Sequence, residues 1–318
     1  MKIYKFITQI SIAGCMLVGT PMLQGCMDNS LNDPLGKVSE EELGRDGFAA
    51  NAFFLTLCDY AYPIATENIY NTNESLIGDC YGRYQVMATD KFKGANFATY
   101  NAPENWLNWQ FADDNVMVLT YGAWNKIKNV TQGTGVNFAW AQILRIATMH
   151  RMLDMYGALP YSQISSDKLS APYDTMEEAY HAMFTDLTDA INVMTVYVTE
   201  NPNNRTMAKV YDGDFEKWVK FANSLKLRMA IRIRFADREY ARQMAEEAIN
   251  HSIGVITSNE DNATSLGTKN QLYTVLVQWP DQCVSADITS YMKGYNDPRM
   301  SKYFKKKTSD KGDDDYVG

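Results

Sequence analysis

The chain has 318 residues, 46% of them hydrophobic and 12% aromatic, enough to bury one large core or two ordinary ones and too apolar for a disordered chain. Its net charge is −8, and since the first 25 residues carry Lys2 and Lys5 but no acid, the remainder is more acidic still. No basic stripe is present to follow a nucleic acid or to hold an acidic bilayer by charge, and twenty Tyr and six Trp against three His favour contact surfaces over proton transfer.

Residues 1–25 read as an export signal: a basic start, an apolar stretch over 7–18, then Leu23, Gln24, Gly25 and Cys26. The stretch is too short and interrupted to span a bilayer as a helix. A small residue before Cys, with Leu three before it, is the pattern of a lipoprotein signal, in which Cys26 becomes the acylated first residue of the mature chain. Gln24 departs from the commonest form, and an ordinary secretory signal beside an incidental Cys is the alternative. A fatty acyl group such as palmitate on Cys26 tethers a soluble domain to a membrane. Residues 26–38, rich in Asp, Asn, Ser, Pro and Gly, then form a flexible tether, and the helical domain is expected over 39–318.

Ser39 and Glu42 make a capping box for a helix that stops before Pro63. From 63 to 104 the periodicity is lost amid Asn, Gly and Tyr, and a run of this length inside a compact protein is usually functional or else misassigned. Helical spacing returns near Trp106 and continues to Val130, and the loop 131–135 leads to a second helix over 137–156, the pair forming a hairpin. Gly157 and Pro160 end it in a turn. Asp174 or Thr175 caps the next helix, which carries Ala179, Met183, Leu187, Ile191 and Met194 at helical spacing.

The stretch 214–235 is the helix about which the others are expected to pack. Phe215, Trp218, Val219, Ala222, Leu225, Met229, Ala230 and Ile233 share a broad face, and Phe221, Leu227, Ile231 and Phe235 add apolar surface elsewhere. Asp214 caps its start, and Arg228, Arg232 and Arg234 complement the dipole at its end. Beyond it lie a shorter helix over 237–250, a polar loop over 258–267, a short strand over 272–277, a helix over 285–294, a turn at 296–299 and a polar tail. Helices in consecutive pairs imply a mainly α fold with helical-repeat packing, without a literal 34-residue repeat.

The order and spacing of several motifs add a resemblance. Tyr156-Gly157-Ala158-Leu159-Pro160-Tyr161, then Tyr173-Asp174 before an acidic helix with Asp186-Leu187 and Ala190-Ile191, then Trp218, Asn223-Ser224-Leu225-Lys226-Leu227-Arg228 and Asn296-Asp297-Pro298-Arg299 together resemble the SusD/RagB family of Bacteroidetes. The resemblance covers Cys26 to the end. It implies a tetratricopeptide-like helical hairpin scaffold with long irregular loops, on a lipoprotein of the cell outer membrane facing the exterior. It also implies a nutrient, glycan more readily than peptide, presented to a TonB-dependent, SusC-like transporter. Members of the family usually run longer, so the C-terminal part of the family fold is expected to be missing here.

Binding a glycan without cleaving it needs flat aromatic faces for sugar rings and amides or carboxylates for hydroxyls. Trp106 and Trp109, interleaved with Asn105, Asn108 and Gln110 and followed by Asp113 and Asp114, are such a cluster; packing of the helix start onto the scaffold is the competing account. Tyr81 and Tyr84 in the irregular region, and Trp279 beside Asp281 and Gln282, are further ligand-binding candidates, whereas Trp124 and Trp218 lie in strong helical periods and read as core. His150, His181 and His251 stand singly on helical patterns, and no zinc-protease or nucleophile-elbow motif occurs, so neither a catalytic residue, a metal ligand nor a cofactor is assigned. Of Cys58, Cys80 and Cys283, the first two could pair, but buried free thiols are the simpler reading. A helical protein-interaction scaffold of an outer-membrane complex, with no ligand platform of its own, is the alternative function.

Overall fold

A computed structural model describes residues 48–61, 67–87, 89–92, 97–109, 115–164, 170–203, 210–264, 271–308 and 314–315. The signal, Cys26, the tether and the capping box at Ser39 and Glu42 lie outside the described residues. The chain divides into two compact units, 1–48 and 49–318, and every described residue after Phe48 belongs to the second.

The elements in chain order are α1 (Phe48–Ala61); α2 (Glu67–Tyr70), continued by the wide π-type turns of Asn71–Asp79; strand β1 (Gln85–Met87); α3 (Glu104–Trp109); α4 (Val116–Thr131); α5 (Gly135–Tyr156); α6 (Met176–Glu200); α7 (Phe215–Ile233); α8 (Arg238–Ile249); α9 (Gln271–Tyr273), continued by wide turns over Thr274–Gln278; β2 (Gln282–Val284); α10 (Ala286–Gly294); α11 (Met300–Tyr303); and the short strands β3 (Lys307–Thr308) and β4 (Asp314–Asp315). No described helix is long and apolar enough to cross a membrane.

Helices α4 to α8 pack in sequence order, each on the next, and α5 also touches α7. This is the mainly α hairpin scaffold that the periodicity predicts, in the tetratricopeptide-like form that the resemblance implies. Helix starts are set locally. Asn115 accepts from Val116 N at the head of α4, Thr175 and Glu178 form a reciprocal capping box on α6, and Asp214 accepts from Glu216 N and Lys217 N on α7. The α4–α5 connection turns tightly because Gln132, Gly133 and Gly135 all take positive φ.

The centre of the scaffold is α5, not α7. Every residue of α5 from Ala139 to His150 is buried, with Met152 and Leu153, whereas on α7 Ile231 is half exposed, as Phe235 just beyond it is almost wholly. Of that second apolar surface, Phe221 packs on the core beside Trp218, while Ile231 and Phe235 stay exposed. Around α5, Trp140 stacks on Phe54 of α1 at 4.2 Å and meets Trp218 of α7 at 5.5 Å. Arg145, also buried, lies over the Trp124 ring at 4.0 Å, donates to Tyr161 Oη at 2.8 Å and pairs with Asp186. Trp124 and Trp218 are core, as their spacing indicates.

Two other expectations change. The stretch 272–277 is helical, and the strand comes later, over Gln282–Val284, where it pairs antiparallel with β1. The region 63–104 is not irregular throughout: Glu67–Asp79 is helical, with turns wider than 3.6 residues, which is why an α-helical period does not find it. Cys58, Cys80 and Cys283 are all free, and Cys283 is exposed rather than buried.

Candidate functional site

The segments that depart from regular helix meet at one end of the unit. Asn71 to Asp79 is held to the chain some two hundred residues later: Gln282 Nε2 donates to Ser75 O at 2.7 Å, and Ser285 N donates to Tyr84 O at 3.0 Å beside the β1–β2 pairing. Leu76, Ile77 and Cys80 form a small core of their own, against which Met87, Phe92, Trp106 and Leu107 pack. Burial of one such Leu or Ile contributes about 1.5–3 kcal/mol.

A groove of about 580 Å³ opens beside this small core. Its walls are Asn68, Asn71, Thr72, Leu76, Lys91, Phe92, Trp106, Trp109, Trp279 and Asp281. The wide turns put Asn68, Asn71, Thr72 and Leu76 on one face, and Thr72 is turned by donating its hydroxyl to Asn68 O at 2.9 Å. Trp106 and Trp109, three apart on α3, face the same side of a helix, and Phe92 meets the Trp106 ring edge-on at 5.0 Å. Trp279 follows the wide turns of Thr274–Gln278, its N–H donating to Thr274 O at 2.9 Å. Asp281 is 2% exposed, accepting from Lys91 Nζ at 2.8 Å and from Asn71 Nδ2 at 3.3 Å. These two bonds join three chain segments across the floor.

Three of the five predicted aromatics, Trp106, Trp109 and Trp279, are thus brought together. Trp106 serves both alternatives, since it packs on the small core and also lines the groove. Tyr81 and Tyr84 are not among the lining residues. Both are exposed on either side of the turn at Gly82 and Arg83, where φ at Arg83 is 58°, and Tyr81 stacks on Tyr100 at 5.4 Å. Asn105 and Asn108 are exposed and do not line the groove, and Gln110, Asp113 and Asp114 lie outside the described residues. Asn68, Asn71, Thr72, Lys91 and Phe92 went unpredicted. Asn71 and Thr72 fall in the wide turns that an α-helical period does not find, and nothing local marks Lys91.

The electrostatics of this end are those of burial. Asp79, whose Oδ2 accepts from Gln85 Nε2 at 2.8 Å, has its carboxyl raised to about 6 by desolvation. Burial, with Asp79 next, also pushes the Cys80 thiol up to about 11, so it is an inert packing group. A second concavity, about 820 Å³, lies along α8, but one helix and its caps form it and Tyr240 is its sole lining aromatic, so it lacks opposed faces for a ring.

The motifs behind the resemblance do not line the groove. Asp174 accepts from Tyr161 N, Ser162 N and Ser162 Oγ, closing the turn whose Leu159 and Tyr161 are buried. Asn223 donates to Gly254 O, Ser224 Oγ accepts from Ile256 N, and Lys226 pairs with Glu247, fastening α7 to α8 and the loop after it. Asp297 pairs with Arg299 across one turn.

Known proteins share this architecture. Residues 30–318 match the model of a family described as SusD-like, SusD and RagB outer membrane lipoprotein. No curated protein matches. Among solved structures, a SusD homologue from Bacteroides uniformis is 36% identical, with a TM-score of 0.74 over 83% of this chain and 56% of its own. A SusD-like protein from Bacteroides thetaiotaomicron is 32% identical, with a TM-score of 0.74 over 85% and 55%. A chitin-binding SusD homologue from Flavobacterium johnsoniae is 31% identical, also at 0.74, over 85% and 56%. The chain therefore spans a little over half the length of these relatives. By sequence and by fold, it belongs to the SusD-like family of outer membrane lipoproteins.

Proposed function

We propose that the protein is a surface lipoprotein that holds an oligosaccharide in the groove between α2, α3 and α9 and delivers it, uncleaved, to a TonB-dependent outer-membrane transporter. One observation carries the glycan part: Trp106, Trp109 and Trp279, from segments far apart in sequence, converge on a single groove with Asn68, Asn71, Thr72, Lys91 and Asp281. Indoles offer flat faces for the C–H side of a sugar ring, while amides and hydroxyls meet its O–H groups. The Flavobacterium relative that binds chitin supports a polysaccharide-derived ligand.

Delivery rests on family membership. The N-terminal pattern supports it, with 1–25 as signal, Cys26 as the acylated residue and 26–38 as the tether that holds the domain at the cell exterior. The groove holds its ligand by stacking and hydrogen bonding and breaks no bond.

The test is calorimetric titration of the purified protein with a panel of oligosaccharides, chito-oligosaccharides first, followed by mass spectrometry of the recovered sugar and pull-down from solubilised outer membranes. Saturable binding, unchanged sugar and a co-purifying β-barrel are expected. Cleaved sugar, or retention of peptides alone, contradicts the reading.

A further inference from the structure

Outside the groove lining, three side chains of metal-ligating type converge where α6 and α8 begin. Glu177 and His181 stand four apart on α6 and so share one helix face. Asp237, from the cap of α8, completes the group, and one donor atom from each lies within 4.8 Å of the others. His181 Nε2 is 3.2 Å from Asp237 Oδ2.

Two of the three donors are already aimed. Asp237 uses Oδ1 to accept from Tyr240 N at 3.2 Å, which fixes the carboxylate and leaves Oδ2 turned to His181. The His181 ring lies against Tyr240 at 4.1 Å, which fixes its plane. Such outer contacts are what orient the ligands of metal sites. Glu177 is exposed, its carboxylate within 4.8 Å of the other two donors. Donors about 2.0–2.2 Å from a small cation stand about 3–3.5 Å apart, the spacing that His181 Nε2 and Asp237 Oδ2 already have, with the Glu177 carboxylate within 4.8 Å of both. Asp237 also lines the concavity along α8, where Glu239, Glu246 and Glu247 outnumber Arg242, so the approach favours cations.

We propose that Glu177, His181 and Asp237 form a site for a borderline-soft divalent ion of the zinc class, which pins the start of α6 to the start of α8. One imidazole and two carboxylates suit Zn2+ and leave positions open to water, whereas Mg2+ prefers an all-oxygen octahedral shell. The ion braces the scaffold and has no part in holding a sugar. His181 reads as a lone helical histidine in the sequence because Asp237 lies 56 residues on.

The test uses the tag-free full chain, stripped of metal, with Zn2+ alone as the probe in calorimetry and in thermal unfolding. The expected result is one Zn2+ per chain at this site and a raised melting temperature, with no comparable rise from equimolar Mg2+. His181→Ala and Glu177→Gln should each weaken that binding by about tenfold or more and remove the rise. Glu177 is exposed, so the second variant tests the site without risk to the fold. The proposal is overturned if Zn2+ neither saturates nor raises the melting temperature, if both variants keep the wild-type response, or if Mg2+ reproduces it.

Discussion

The scaffold and the groove end are built by different physics. In α4 to α8 each helix is set by its own cap and period and packs on its neighbour in sequence. At the groove, Asp281 is held by partners 210 and 190 residues away, and among the described residues the small core buries Leu76, Ile77 and Cys80. The first region encloses its side chains and leaves few groups open to a ligand; the second leaves its indoles half-buried around a groove. Substitutions should therefore separate stability from binding.

The largest effect is expected at the centre of α5. Leu144→Ala removes a fully buried side chain and should cost about 2–5 kcal/mol, read as a fall in denaturation midpoint, with the folded fraction binding sugar as before. A loss of sugar affinity in the folded fraction would blur the division. Next, Asp281→Ala leaves Asn71 Nδ2 without its acceptor and releases Lys91. About 1–3 kcal/mol is expected, confined to the groove end, so hydrogen exchange should speed up over 282–284 while α5 keeps its protection. Uniform acceleration along the chain would show the two regions to be one cooperative unit. Thr175→Ala breaks the capping box of α6 at an exposed position and should cost about 1 kcal/mol with sugar binding unchanged.

A separate effect is a slope with pH rather than a fixed loss. The folded Asp79 carboxyl is raised to about 6, above the unfolded value of about 3.9, so between those values the folded state holds more protons. This group's contribution to stability is fully present below pH of about 4 and is lost as pH rises through about 6. Asp79→Asn, which keeps a carbonyl to accept from Gln85, should lose that decline. The check is the difference in melting temperature between wild type and variant from pH 4 to 8; a difference independent of pH contradicts the assignment.

What could be read from the residues follows the same division. Caps at Asp214 and Thr175, the α4–α5 hairpin and the core roles of Trp124 and Trp218 are local or periodic properties and stand in the sequence. The primacy of α5 over α7 does not, because both carry long apolar faces and only packing decides which is enclosed. Glu67–Asp79 escaped because its turns are wider than the period sought, and the strand at Gln282–Val284 because its partner β1 lies almost two hundred residues earlier. At the groove, indole chemistry pointed to Trp106, Trp109 and Trp279, while Lys91 becomes meaningful only once Asp281 is beside it. Tyr81 and Tyr84 have the right chemistry, yet they flank an exposed turn outside the groove. The runs that carry the resemblance, such as Asn223 to Arg228, fasten helices and do not touch the groove, so they mark the family without marking the ligand.

The most direct test of the central claim is titration of a bound oligosaccharide into wild type and into the double variant Trp109→Ala/Trp279→Ala, with melting temperature measured alongside. Two lost stacking faces, each about 1 kcal/mol, should weaken binding by about tenfold or more and leave the melting temperature nearly unchanged. Undiminished affinity in the double variant would contradict the account, because the sugar would then be held somewhere other than between these indoles.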